Sequence, residues 1–198
     1  GKRSGFAKPM AKVDVMREIA MTGNLKPVDF SGKNLSDLDL ANTNFRGANL
    51  KGTYFRYSDL KESNFQNADL SGANLRQTRL VGSLMAGANL RGANLQSADL
   101  RGAVLDGVDL SNADLTGARL DRASMRNINL AGATLTDASL VKAYLGDSNL
   151  SGVDLRKVNL KGADLFGTIL RGSNFEGTNL KSVDLSHTDL SGSNLQRA

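Results

Sequence analysis

The stretch Gln66-Asn67-Ala68-Asp69-Leu70-Ser71-Gly72-Ala73-Asn74-Leu75 decides the fold. It repeats one pattern: a small residue, an Asp or Asn, a Leu, and then two positions of polar or Gly character. Working outward, a large apolar residue stands at every fifth position from Leu25 to Leu195, and it is always Leu, Phe or Met. Two residues before it comes a small or β-branched residue, as in Ala48, Ala88, Val108, Val153 and Thr178, with Lys33, Leu38 and Ile128 as exceptions. A period of five fits neither the 3.6 of a helix nor sustained strand alternation, which would send successive large residues to opposite faces. Two inward positions with one outward residue between them make a short extended segment, so the chain must turn a corner in every unit. Gly is common at the second position after the large residue, for example Gly47, Gly72 and Gly92, where it relieves the steric limit on a bend.

Such repeats must be sought before any other feature, because they fix the whole architecture. Ala48-Asn49-Leu50, Ala68-Asp69-Leu70, Ala73-Asn74-Leu75, Ala113-Asp114-Leu115 and Ala163-Asp164-Leu165 carry the motif A-[DN]-L-x-x, and on these the chain resembles the pentapeptide-repeat family over residues 25–195. The resemblance implies an all-β solenoid: a right-handed quadrilateral β-helix with four pentapeptides per square coil and consecutive coils paired through their backbones. Residues twenty apart then stack in columns at about one strand spacing, ~4.8 Å, giving a rod on the order of 40 Å long. The core positions Phe30, Phe45, Phe55, Phe65, Met85, Met125 and Phe175 face inward, and Phe45, Phe65, Met85, Leu105 and Met125 share one inner edge. An outward column, Asp39, Asp59, Arg79, Asp99 and Arg119, reads as a charge ladder that tunes the surface without holding the rod together.

A solenoid exposes its core and unpaired backbone at each end, so caps are expected. Residues 9–22 read as a short amphipathic helix, with Pro9 in its first turn and Gly23 as its stop; Val13, Met16, Ile19 and Ala20 would cover the first coil. The expected organisation is a basic tail over 1–8, a capping helix over 9–24 and the β-helix over 25–198. After Leu195 only three residues follow, which predicts a bare last coil able to pair end to end with a second copy.

The 198 residues carry a net charge of +5, yet residues 1–24 alone hold +3 through Lys2, Arg3, Lys8, Lys12 and Arg17 against Asp14 and Glu18. The rest is a mixed, solvated surface and not a nucleic-acid footprint. There is no Cys and no Trp. No apolar run reaches the ~20 residues of a membrane span and no secretory leader is evident, so a soluble protein is predicted, with the cytoplasm as default compartment.

Asp109, Asp114, Asp154, Asp164, Asp184 and Asp189 recur before the large residue too regularly to be acid/base pairs or metal ligands, and they read as solvent-facing repeat positions. Asp164 and Asp184 share a column without a third converging ligand. The single His, His187, sits at an outward corner with no Cys or second His. No phosphate-binding loop is present and a filled interior leaves no substrate cavity, so no catalytic residue, no metal, no cofactor and no small-molecule substrate are expected. Tyr54, Tyr57, Tyr144 and Phe166 occupy positions that the motif gives to water, which makes them candidate partner contacts.

These features predict a non-enzymatic scaffold or regulatory module that binds a protein partner through the outer faces of a rigid rod. The resemblance also implies an alternative, since some family members mimic DNA, bind gyrase, a type II topoisomerase, and confer quinolone protection. Mimicry needs phosphate-like acidity, whereas Arg46, Lys51, Arg56, Lys61, Arg76, Arg91, Arg101 and Arg171 interrupt the surface. A third reading uses Lys2, Arg3, Lys8 and Lys12 as a basic tail for anionic membrane or nucleic acid.

Overall fold

In a computed structural model of the chain, which describes residues 7–22 and 26–198, each five-residue unit forms one side of a four-sided coil. The side is short because only three residues are extended before the chain turns. Parallel bridges run Asp29 to Asn49, Asn49 to Asp69 and Asp69 to Asn89, so the register between coils is twenty residues. The Leu50 N–H donates to the Asp69 carbonyl at 2.7 Å, and the Asp69 N–H donates to the Ala48 carbonyl at 3.0 Å. Every coil thereby satisfies the backbone of its neighbours, as buried peptide groups require.

Each corner is a β-turn. The Ala48 N–H returns to the Phe45 carbonyl at 3.0 Å, and Gly47 holds φ at 65°, the positive value that a type II turn demands of its third residue. The Asp or Asn before the large residue has its own task here. In Asn49 the side-chain Oδ1 accepts the Lys51 N–H at 3.2 Å, a local bridge across the corner. Where Gly is missing, residues such as Asn67, Asn112 and Asp147 take the left-handed conformation. Above these three the next coil carries Gly87, Gly132 and Gly167, whose missing side chains leave room for the Asn or Asp oxygen below.

The interior is one continuous column of apolar side chains from Val15 to Phe175. Phe30, Phe45, Phe55, Phe65, Met85, Met125 and Phe175 are all fully buried. Phe45 and Phe65 stack at 5.1 Å with nearly parallel rings, and Phe55 meets both edge-on. Most buried Ser and Thr at the small position are also paired: Ser63 Oγ donates to the Leu40 carbonyl at 3.0 Å and accepts the Thr43 N–H at 3.1 Å, whereas the Ser83 hydroxyl has no hydrogen-bond partner.

The N-terminal region differs from the expectation. The helix α1 spans Lys12–Thr22, and Pro9 lies outside it, bridged to Asn34. The Met10 N–H donates to the Asn34 carbonyl at 2.8 Å, and this extended entry sets the rotation of α1. Val15 consequently turns into the core with Ile19 packed against it, one helical turn apart, whereas Val13 is 61% and Met16 38% exposed and Ala20 is exposed. Lys33 is exposed as well, so its charged group leaves the small position of the first coil. Gly23, Leu25, Lys2 and Arg3 lie outside the described residues, and with them part of the expected tail and of the helix-to-coil boundary.

Two further departures concern the rod itself. The column Asp39, Asp59, Arg79, Asp99 and Arg119 is in register, but the ion pair of Asp99 is made within its own coil, to Arg101 at 2.7 Å. The ladder also opens on the two sides that meet at one corner: Thr134 and Asp154 form no bridge, nor do Asn159 and Asn179, and at the corner between Asp154 and Asn159 the residue Lys157 does not adopt positive φ. The Asp137 N–H reaches the Lys157 carbonyl instead of that of Arg156. Val153 and Val158 flank this corner inside, where the coil before it carries Ala133 and Ala138. At the far end Leu185 and Leu190 are half-buried and Leu195 is 43% exposed.

Candidate interaction face

With the interior filled, chemistry is left to the outer walls. An open groove of about 620 Å³ lies between α1 and the first coil, lined by Ile19, Lys26, Asn44 and Arg46 among others, and no carboxylate among the described residues borders it. A second, of about 350 Å³, marks the opened ladder at Thr136, Asp154, Arg156 and Lys157, where Arg156 already pairs with Asp154 at 2.7 Å. Among the described residues no group of three His, Cys, Asp or Glu is gathered to hold a metal, and no helix is long and apolar enough to cross a membrane.

The recurrent carboxylates are occupied by their corners. Asp164 and Asp184 bridge in one column, yet each turns an oxygen to a backbone N–H two residues on, Phe166 and Ser186 respectively. For Asp184 the Ser186 hydroxyl, and then the Ser186 N–H, hold the carboxyl below its ordinary range. Asp189 is lowered to about 2, first by the Ser191 hydroxyl and then by Arg171. Asp114 is lowered although burial opposes it, because Thr116 and Gln96 hydrogen-bond the charged form. Depressed carboxylates of this kind are poor proton donors at neutral pH, which suits a turn and not a general acid.

The four outward aromatics do not form one cluster. Tyr54 is half-buried in the column between Asn34 and Asn74. Tyr57 sits at a corner with φ of 64°, its ring under the Arg56 guanidinium at 4.7 Å. Tyr144 and Phe166 share a different face: the Tyr144 ring lies under Arg126 at 5.1 Å, and Phe166 meets His187 edge-on at 4.9 Å. Gly146 lies between Arg126 and Phe166 in their column and is buried.

That face holds two apolar residues that sequence reasoning passed over. Its central column runs Asn44, Asn64, Leu84, Val104, Ser124, Tyr144, Asp164 and Asp184, linked by parallel bridges throughout. In four consecutive coils, from Leu84 to Tyr144, the Asp or Asn that braces the corner is replaced. Only at Ser124 is the bracing recovered, because Asp106 accepts both the Ser124 hydroxyl and the Arg126 N–H. At Leu84, Val104 and Tyr144 no side chain bonds the N–H of Ala86, Asp106 or Gly146, forgoing about 1 kcal/mol apiece. Leu84 is 39% and Tyr144 44% exposed, with Val104 half-buried between them. The signal was present in the sequence: Leu and Val stand where the repeat has Asp or Asn.

The family profile described as pentapeptide repeats matches residues 34–72, 68–107, 88–127, 128–165 and 159–197, with 8 copies. No curated protein matches the chain. Among solved structures, HetL, a pentapeptide repeat protein involved in heterocyst differentiation regulation from the cyanobacterium Nostoc sp. strain PCC 7120, is 26% identical. The match covers 96% of this chain and 94% of that one, with a TM-score of 0.42. Full-length QnrB1, a plasmid-mediated fluoroquinolone resistance protein, is 24% identical over 82% of this chain and 79% of its own, with a TM-score of 0.44. A further pentapeptide repeat protein from Nostoc is 38% identical over 48% of this chain and 73% of its own, with a TM-score of 0.41.

Proposed function

Because the chain belongs to the pentapeptide-repeat family, we propose that it is a non-enzymatic interaction module, a stiff rod that presents a patterned wall to a protein partner. The observation that supports this most directly is the run from Leu84 to Tyr144, where corner bracing gives way to exposed apolar side chains on a single face. A surface residue that gives up a local hydrogen bond and offers apolar area in its place gains only when another surface covers it. A rod whose coils are fixed by backbone ladders loses little freedom on binding, so such a wall is pre-organised. In this reading the rod winds right-handed, and α1 with Val15 closes its first coil. The DNA-mimic alternative finds no support in the net charge of +5 or in the cations that interrupt each wall.

The test is affinity capture with the full chain, comparing it with a Leu84→Asp, Tyr144→Asp variant and with a Tyr57→Asp control on another part of the surface. A protein retained by the parent and the control but lost by the face variant is the expected result. Retention that ignores the face, or no retained protein from any source extract, would remove this reading.

A further inference from the structure

The coil gathers charge that lies scattered along the sequence. Opposite the apolar wall, ten residues or two sides away, stands a wall whose central column is Asn34, Tyr54, Asn74 and Asn94, bridged in parallel and ending at Asp114. Lys51 and Arg91 lie at the corner where the chain enters this wall, Arg56 and Arg76 at the corner where it leaves. Lys33 stands at its foot, and Lys8 lies in the entering strand that pairs with Asn34. One carboxylate, Asp37, stands among these six cations. Of the chain's 25 Lys and Arg and 20 Asp and Glu, six and one are gathered here, leaving nineteen of each sign elsewhere, so this strip carries the net charge of +5.

All six cations except the half-buried Arg56 are exposed, and among the described residues none of them forms a salt bridge. The neighbouring carboxylates are turned away. On the adjoining walls Asp29, Asp69, Asp39 and Asp59 each give an oxygen to their own corner, at the N–H of Ser31, Ser71, Ala41 and Lys61, and Asp99 pairs with Arg101. At the foot, Lys12 and Asp14 in the first turn of α1 offset each other. Asp and Asn brace a corner alike, as Asp69 and Asn49 do, yet this column uses Asn at Asn34, Asn74 and Asn94. The Asn74 Oδ1 accepts the Arg76 N–H at 3.1 Å and the Asn94 Oδ1 accepts the Gln96 N–H at 3.0 Å, which leaves the NH2 groups as donors to the wall.

Protein interfaces are built around apolar anchors, with charge kept to the rim. Here no Leu, Val, Ile or Met occupies the column or its corners, Tyr54 is half-buried, and the Tyr57 ring lies under Arg56 at 4.7 Å. Nucleic-acid interfaces, by contrast, are polar and strongly positive. We propose that this wall binds the phosphate backbone of a nucleic-acid duplex through charge, without reading its sequence. Base edges ask for acceptors as well as donors, and the Asn oxygens are already committed to the corners. With Tyr54 sunk in the column, no projecting ring is offered to an unpaired base. From Asn34 to Asn94 the wall spans three coil spacings, ~14 Å, along which one strand of a duplex presents about four phosphates. This surface goes beyond the protein-interaction reading and lies on the other side of the rod from the wall that carries it.

Fluorescence anisotropy of a labelled DNA duplex of about 20 base pairs, titrated with the full chain, decides the matter. The expected Kd is on the order of 10 μM at ~50 mM salt, and log K should fall against log salt with a slope of about −4. Replacing Lys51, Arg76 and Arg91 together by Gln should weaken binding at least tenfold and bring the slope to about −1. Gln already stands at this repeat position in Gln66 and Gln96, and circular dichroism would verify that the β-helix is kept. Replacing Lys142, Lys161 and Lys181 by Gln removes the same charge at another corner and should leave binding unchanged. A second duplex of unrelated sequence should bind within about twofold of the first. No binding at ~50 mM salt, equal losses in the two triple variants, or tighter binding to polyglutamate or to vesicles with ~30% phosphatidylserine than to the duplex would overturn the proposal. Capture of a protein by the Leu84–Tyr144 wall would survive each of those outcomes, so the two readings fail separately.

Discussion

Gly92 and Gly132 occupy the same corner column with nearly the same backbone, φ of 66° and 71°, yet they should respond very differently to substitution by Ala. At either position an L side chain enters the left-handed region, at about 1 kcal/mol. For Gly92 that is the whole effect, because the coil below presents Gly72 and a new Cβ meets nothing within 4 Å. Below Gly132 stands Asn112, itself left-handed at φ of 59°, and a Cβ on Gly132 would overlap its Oδ1. Asn112 must then leave its rotamer, adding about 1 kcal/mol. Gly132→Ala should therefore cost about 2 kcal/mol and Gly92→Ala about 1. In an Asn112→Gly background the Gly132→Ala penalty should fall back to ~1 kcal/mol, a coupling larger than the ~0.3–0.5 kcal/mol within which independent sites add. Guanidinium unfolding at constant m-value, followed by circular dichroism, measures all four proteins of the cycle. Equal penalties for Gly132→Ala in the two backgrounds would refute the idea that corners communicate through the side chain lying over the next coil.

Other outcomes follow from the same geometry. Ser63→Ala should cost less than ~1 kcal/mol, because the Thr43 N–H can close its turn directly on the Leu40 carbonyl as Ala48 does on Phe45; a loss of 3 kcal/mol or more by denaturation would mean that both groups stay orphaned. Asp189, held near 2 in the folded chain against an ordinary 3.8, contributes stability that is fully present above the ordinary value and is lost as pH falls through about 2. Carboxyl NMR should place its midpoint near 2, and Ser191→Ala should raise it; an unshifted midpoint would refute the assignment of the Ser191 hydroxyl as the main cause. Amide exchange should be faster at Leu135 and Asp154, beside the opened ladder, than at Leu115 and Asp114, whose bonds to Thr134 and Ala93 are intact. Equal protection at both pairs would show that the ladder is closed in solution.

Much of the architecture could be read from the chain because one residue type answers one requirement in every unit. A large residue at Phe45 or Leu90 must be covered, and a period of five permits this only if the chain turns after each one. The bracing Asp and Asn were visible as a repeat, although their bond across the corner became plain only with the backbone in place. What escaped was set by context. Val15 replaced Val13 and Met16 inside because the Met10–Asn34 hydrogen bond fixes the helix rotation, and no helical period contains that information. The ion pair of Asp99 went to Arg101 and not along the column, since the corner brings a long side chain back over its own coil. The proposed interaction wall was half legible: Tyr144 and Phe166 stand out as aromatics, while Leu84 and Val104 are hidden by their ordinary composition and revealed only by position.

The twenty-residue register has a consequence for how such a chain can lengthen. Inserting a single pentapeptide leaves every inward residue inward, so the fold accepts it, but all walls beyond the insertion turn by a quarter. An insertion between Val104 and Tyr144 would move Tyr144 and Phe166 around the rod and divide one surface between two sides. Growth that preserves a shared surface must come in whole circuits of the square, and relatives that differ by one, two or three units can keep the same interior while exchanging what they show to the outside.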